Sequence, residues 1–301
     1  MFTRVFAIRA AAAMGLIAAL GAPAAAQEAA AREGRVYVSV TDKDGKVLPL
    51  APAEVTISED GRKREVLRVE KASGPVQIAL LVDDSQAIQS GANDVRNALK
   101  QFIAKVLDAS PDTQIALISY GERPVLLTDY TNSRVMLERG ISRIFARQGA
   151  GAYMLEAIVS AARGIVKRDP ARSHIVVVGT DGVEFSNDHY ERVLDQIAES
   201  GATLWALTLT DGPRASDSEE VRNRAMVLGR GTKESGGRHD QVLANSAAPL
   251  ILGKVADTIL NHYVVVYGRP DALVPPKKID VDVRKPGAKV LAPSFAPRVR
   301  K

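Results

Sequence analysis

Asp83 and Asp84 stand side by side at the end of an apolar run, Val76 to Val82, and Ser85 follows them. Farther along, Thr180-Asp181-Gly182 closes a second apolar run containing Ile175 to Val178. Between the two, Gly149-Ala150-Gly151-Ala152 precedes a helical pattern that starts at Met154. Carboxylates and hydroxyls gathered at the ends of buried strands suit a hard divalent cation such as Mg2+, which takes oxygen ligands in an octahedron and keeps several waters. Singly, Asp83 or Asp181 reads first as a cap on the helix that follows it. Together, at the carboxyl ends of strands expected to be neighbours, they mark a shared site, because open parallel sheets bind ligands at those ends.

Other chemistries fit less well. Asp83, Asp84 and Asp181 are the carboxylates a metal-assisted hydrolase would use, yet no G-x-S-x-G and no identifiable His partner accompany them. Gly149-Ala150-Gly151 follows a helical pattern and lacks the third glycine of a dinucleotide fingerprint. The absence of Cys removes thiolate nucleophiles, sulfur-bound zinc and disulfides. No two of His174, His189, His239 and His262 have helical ligand spacing, so a multi-histidine metal site is not expected. With 40 basic against 35 acidic residues in 301, the excess is too small to imply a nucleic-acid partner. Near the C-terminus, Lys277, Lys278, Arg284, Lys285, Lys289, Arg298, Arg300 and Lys301 are interrupted by Asp280 and Asp282. They read as a solvated strand edge protected against pairing, with an envelope-assembly scaffold using these basic strands as the alternative.

The elements that must position the strand ends follow from periodicity. A length of 301 residues, 46% hydrophobic and 25% charged, is globular and allows about two domains. Arg35 to Val69 reads as short strands with polar turns, the last strand running from Arg64 to Val69. From Val76 the rhythm changes to buried strands (Val76–Val82, Gln114–Ser119, Ile175–Val178, Thr203–Leu209) alternating with helices. The helices are expected around Val95–Leu107, Thr131–Phe145, Met154–Val166, Asp188–Ser200, within Ser216–Leu228, and over Ala247–Leu260. That alternation predicts a doubly wound, mostly parallel α/β sheet. Strands return after Asn261. Each β-rich flank, about 40 to 45 residues, is small to stand alone. The economical expectation is therefore one small β-sandwich built from residues 27–73 and 263–301, with an α/β domain of residues 74–262 inserted in it. Trp205, inside a buried strand, is expected in the core.

The N-terminus carries Arg4 and Arg9, an apolar run from Ala10 to Leu20, and small residues ending in Ala24-Ala25-Ala26, the plan of a cleavable secretory signal over residues 1–26. The run is shorter than the roughly 20 residues of a membrane-spanning helix. The expectation is an exported chain, periplasmic or secreted, with no transmembrane segment after cleavage.

These residues resemble the von Willebrand factor type A domain, whose metal-ion-dependent adhesion site combines D-x-S-x-S after the first strand, a threonine loop before a helix, and T-D-G after the fourth strand. Asp83, Ser85 and Asp181 match the first Asp, first Ser and last Asp, while Glu234-Ser235-Gly236-Gly237-Arg238 resembles a late Gly-Gly turn of such domains. Ser58-Glu59-Asp60-Gly61 and Ile279-Asp280-Val281 look like the flanks of secreted bacterial proteins of this class. The resemblance implies a non-enzymatic module presenting loops 83–87, 149–153 and 181–186 to a protein partner, with Asp84, Gln86, Tyr153 and Glu184 as contact residues. It departs from the pattern where Ala87 and Ala152 replace oxygen-bearing ligands. The expected metal site is thus a degenerate one of Asp83, Ser85 and Asp181, holding Mg2+ or another divalent cation weakly.

Overall fold

The computed structural model of the protein describes residues 32–210, 218–270, 274 and 276–296; the expected leader and Arg298, Arg300 and Lys301 lie outside the described residues. Among the described residues no helix is long and apolar enough to cross a membrane.

Two units share the chain. The α/β unit contains β5 (Gln77–Val82), α1 (Ala92–Ala109), β6 (Gln114–Ser119), β7 (Val125–Thr131), α2 (Arg134–Ile141) and α3 (Met154–Arg168). It continues with β8 (Ser173–Thr180), α4 (Tyr190–Ser200), β9 (Thr203–Leu209), α5 (Glu219–Met226), α6 (Thr232–Glu234), β10 (His239–Val242) and α7 (Ala248–Leu260). A π-helical stretch, Val227–Gly231, joins α5 to α6. The six-stranded sheet has the order β10-β9-β8-β5-β6-β7 and is parallel except for β7. Alternation along β5 explains its two coats: Ile78, Leu80 and Val82 pack with α1, α2 and α7, whereas Ala79 and Leu81 pack with α3, α4 and the π stretch. Trp205 is fully buried in the first of these cores.

The flanks form the second unit. The N-terminal flank supplies β1 (Arg32–Thr41), β2 (Val55–Glu59), β3 (Arg62–Arg64) and β4 (Val66–Lys71). The C-terminal flank supplies β11 (Tyr263–Arg269), β12 (Ile279–Val283) and β13 (Lys289–Leu291). One sheet runs β13-β1-β11-β4 and the other β12-β2-β3, every pairing antiparallel. Val36, Val38, Val40, Val265 and Tyr267 of the first face Ile57 and Ile279 of the second across an apolar core.

Two local expectations are corrected. The helix predicted over Thr131–Phe145 is shorter, because β7 occupies Val125–Thr131 and Ser133 caps α2 by accepting from the Met136 N–H. The strand predicted over Arg64–Val69 is two strands in different sheets, with Glu65 between them. The C-terminal cations do lie along sheet edges: β12 and β13 end their sheets, and Lys277, Lys278, Arg284 and Lys289 are exposed, while Lys285 bonds Glu54 at 2.8 Å and the Pro49 carbonyl at 2.6 Å.

The units meet where the chain leaves one for the other. The Ala72 N–H donates to the His262 carbonyl at 2.8 Å, and Arg172 donates to the Ala72 carbonyl. Past β13 the chain crosses to the α/β unit, where the Ser294 N–H donates to the Glu234 carbonyl at 2.8 Å and Phe295 packs on the core beneath α3 and α4.

Candidate functional site

β5 and β8 pair with Val82 opposite Val178, so the residues that follow each emerge together at the carboxyl edge of the sheet. Asp83 is fully buried there. Its Oδ1 accepts from the Ser85 N–H at 2.8 Å, and its Oδ2 accepts from Thr180 Oγ1 at 2.7 Å and the Thr180 N–H at 3.2 Å. Asp84, also buried, engages different partners: Oδ1 accepts from the Gly121 N–H at 2.6 Å and Oδ2 from Arg147 Nε at 2.8 Å. A Cβ on Gly121 would stand 2.7 Å from that same Oδ1, so only glycine admits this approach.

The loop before α3 lies on the loop after β5. The Arg147 N–H donates to the Asp84 carbonyl at 3.1 Å, the Gln86 N–H to the Ala150 carbonyl at 3.0 Å, and the Gly149 N–H to Gln86 Oε1 at 2.9 Å. It is also stitched to the loop after β8: the Ala152 N–H donates to the Val183 carbonyl and the Phe185 N–H to the Ala152 carbonyl. Ala152 is therefore buried beneath this stitch, and Ala87 lies against Gly182.

Glu184 points inward. Its Oε1 accepts from the Met154 N–H at 3.0 Å, at the N-terminus of α3, and from the Ser186 N–H. Burial raises its carboxyl to about 7, against the lowering effects of Ser186 and Arg224. Arg224, itself buried, reaches from α5 to the Gly182 carbonyl at 2.6 Å and the Asp181 carbonyl at 3.2 Å. Tyr120 donates its hydroxyl to the Val178 carbonyl; burial first, then the Asp83 charge, lifts its phenol well above the usual value and keeps it a neutral donor.

The fold thus brings Asp83, Ser85 and Asp181 to one edge, with Asp181 half-buried and the other two buried. Gln86 is exposed and Tyr153 half-buried. Asp84 and Glu184, expected as contact residues, are not at the surface, because their oxygens serve Gly121, Arg147, Met154 and Ser186. Arg147, Arg224, Val183 and Phe185 were not anticipated. The alternation Val183-Glu184-Phe185-Ser186 is the one local signal, exposed and buried in turn.

The residues present do not fit a tightly held divalent cation, which needs six oxygens. Ala87 and Ala152 offer none, both oxygens of Asp83 already accept from protein donors, and Asp84 is bound to an arginine. Among the described residues no three acidic or histidine side chains converge as a metal-binding group. Asp83 and Asp84 likewise do not face each other across a substrate space, since each carboxylate is consumed by its own partners.

Solved structures of similar fold include a von Willebrand factor type A protein from Catenulispora acidiphila (11% identity, TM-score 0.49, covering 89% of this chain and 74% of that one). Another is the vWF domain of the type V pili tip protein Mfa5 from Porphyromonas gingivalis (12%, TM-score 0.48, 62% and 96%). A third is the conserved hypothetical protein BatB from Bacteroides thetaiotaomicron (15%, TM-score 0.46, 61% and 98%). No curated protein matches the chain in sequence. The sequence model of the von Willebrand factor type A domain matches residues 77–228, half of the chain and the part that carries Asp83, Ser85 and Thr180-Asp181-Gly182, and the protein belongs to that family.

Proposed function

We propose that the protein is an exported, non-enzymatic module that binds another protein through loops 83–87, 149–153 and 181–186. The observation that carries this reading is an apolar pair on the ligand edge of the sheet. Val183 and Phe185 are 51% and 49% exposed, on a loop held by backbone hydrogen bonds to Ala152. The Phe185 ring lies across Gly151, where a Cβ would meet it at 2.0 Å, and its centroid is 6.1 Å from that of Tyr153. An aromatic and a branched aliphatic side chain presented together on fixed backbone are the anchors protein interfaces use, and exposed Gln86 and Gln148 offer hydrogen bonds beside them. Membership of a family of interaction modules supports the same reading.

The test is a pull-down from envelope extract with the mature protein, run with Mg2+ and again with a chelator. A Val183→Ser, Phe185→Ser variant should lose a partner that the parent retains. Leu126→Ser, which removes a comparably exposed apolar side chain from β7, should retain it. Equal capture by all three proteins would overturn the assignment of this face.

Export rests on the charged, apolar and small-residue succession of residues 1–26. N-terminal sequencing of the purified envelope protein should begin at Gln27; recovery of Met1 would point instead to an uncleaved anchor.

A further inference from the structure

We propose that two guanidinium groups of the chain itself, Arg147 and Arg224, hold the ligand-face loops in place, so that the face is assembled without a divalent ion. The proposal concerns how the loops are held and stands apart from what docks on them.

Loops that gather carboxylates repel one another unless a cation lies among them. Asp83, Asp84, Asp181 and Glu184 come from two of the three loops, and among the described residues no three acidic or histidine side chains gather as an ion-binding set to balance them. Arg147, two residues before the third loop, binds Asp84 on the first through both its side chain, at 2.8 Å, and its backbone N–H, at 3.1 Å. This joins loop 149–153 to loop 83–87 with a charge-assisted bond to a carboxylate that is 1% exposed. Arg224 does the corresponding work for loop 181–186, its forked head grasping two successive carbonyls, Asp181 and Gly182, while Nη1 lies 4.0 Å from Glu184 Oε2. The remaining seams contain no cation: Asp83 with Thr180, and Ala152 with Val183 and Phe185. Every pair of loops is therefore closed by protein groups alone, and Ala87 and Ala152 stand where ion ligands would be superfluous. In this scheme Arg147 and Arg224 are positioning residues.

Amide hydrogen exchange on the mature full-length protein tests the idea, followed at residues 84–87, 121, 147–153 and 181–186, with excess Mg2+, with excess Mn2+ and with EDTA. The expected result is the same protection under all three conditions. Arg147→Met should speed exchange in loops 84–87 and 147–153 by about tenfold or more while leaving β1 and β11 unchanged. Arg147→Lys, which keeps the charge, should restore part of the protection. If Arg147→Met does not fold, Arg147→Lys and Arg224→Lys are read against the parent, each expected to loosen its own loop. Protection that rises with Mg2+ or Mn2+ in the natural sequence would overturn the proposal. So would loops indifferent to the loss of Arg147.

Discussion

Tyr267 on β11 donates its phenolic hydrogen to Glu59 Oε1 on β2 at 2.7 Å, joining the two sheets of the sandwich. The same oxygen pairs with Arg269 Nη2 at 2.7 Å, and Oε2 accepts from Arg64 Nε at 3.0 Å. Glu59 is fully buried and Arg269 nearly so, so removing the carboxylate takes a buried counter-charge from that guanidinium and an acceptor from Tyr267. Glu59→Ala should destabilise the protein by about 3–5 kcal/mol, and Tyr267→Phe by about 1–2 kcal/mol. Urea unfolding of the full chain measures both; a Glu59→Ala loss below that of Tyr267→Phe would refute the network.

Acidity should act on the fold through two opposed groups. Glu184 has its carboxyl raised by burial to about 7 from an ordinary 4.5. The folded state therefore holds its proton where the unfolded chain does not, and its contribution to stability falls as pH rises from 4.5 through 7, by about 3 kcal/mol at most. His174 and His262, tilted against each other with ring centroids 5.4 Å apart beside Trp205 and Arg172, behave in reverse. Burial lowers His262 to about 3 and His174 well below its usual value, so stability falls as pH drops from 6.5 through 3. Glu184→Gln should remove the first dependence and leave the protein losing stability steadily below pH 6.5. Thermal melts across pH 4–8 decide it, and a variant whose profile overlays the parent's contradicts the Glu184 assignment.

A fragment spanning residues 74–262 should fold alone, while residues 27–73 should not. In the sandwich β1 and β4 do not pair with each other; β11 lies between them, and β2 has only the short β3 once β12 is gone. Dispersed amide signals from the isolated 27–73 peptide would refute the interdependence.

Returning oxygens to the ligand edge should return affinity for an ion. The natural sequence is expected to bind Mg2+ only in the millimolar range or above. Ala87→Ser with Ala152→Thr should tighten this by about tenfold or more, and Asp181→Ala should abolish it. Calorimetry on these proteins reads the series; micromolar binding by the natural chain, unchanged by the double replacement, would show that another group completes the site.

Buried strands were legible because their apolar runs have no competing interpretation: Gln114–Ser119 and Thr203–Leu209 match in both sequence and structure. Edge strands were not. β7 follows Pro124 and carries Thr128, Asp129 and Tyr130, and β10 is His-Asp-Gln-Val, so neither shows the apolar run of a central strand. At the site, Asp83 and Asp181 announced themselves by position. Arg147 did not, because the carboxylate it serves is 63 residues away, and Arg224 sits in a helix whose other charges conceal it. Long-range polar partnerships leave no period in a sequence.

The 2.8 Å bond between Ala72 and His262 closes the α/β unit into a loop at its base, and this has a mechanical meaning. Tension applied between the two flanks meets β1, which pairs directly with both β11 and β13; both ladders are antiparallel, so tension peels them bond by bond. The chain beyond β13, however, is tied to the α/β unit, by Ser294 to the Glu234 carbonyl and by Phe295 to the core beneath α3 and α4. A load entering beyond β13 therefore reaches the α/β unit at those two contacts before it can open the sandwich ladders.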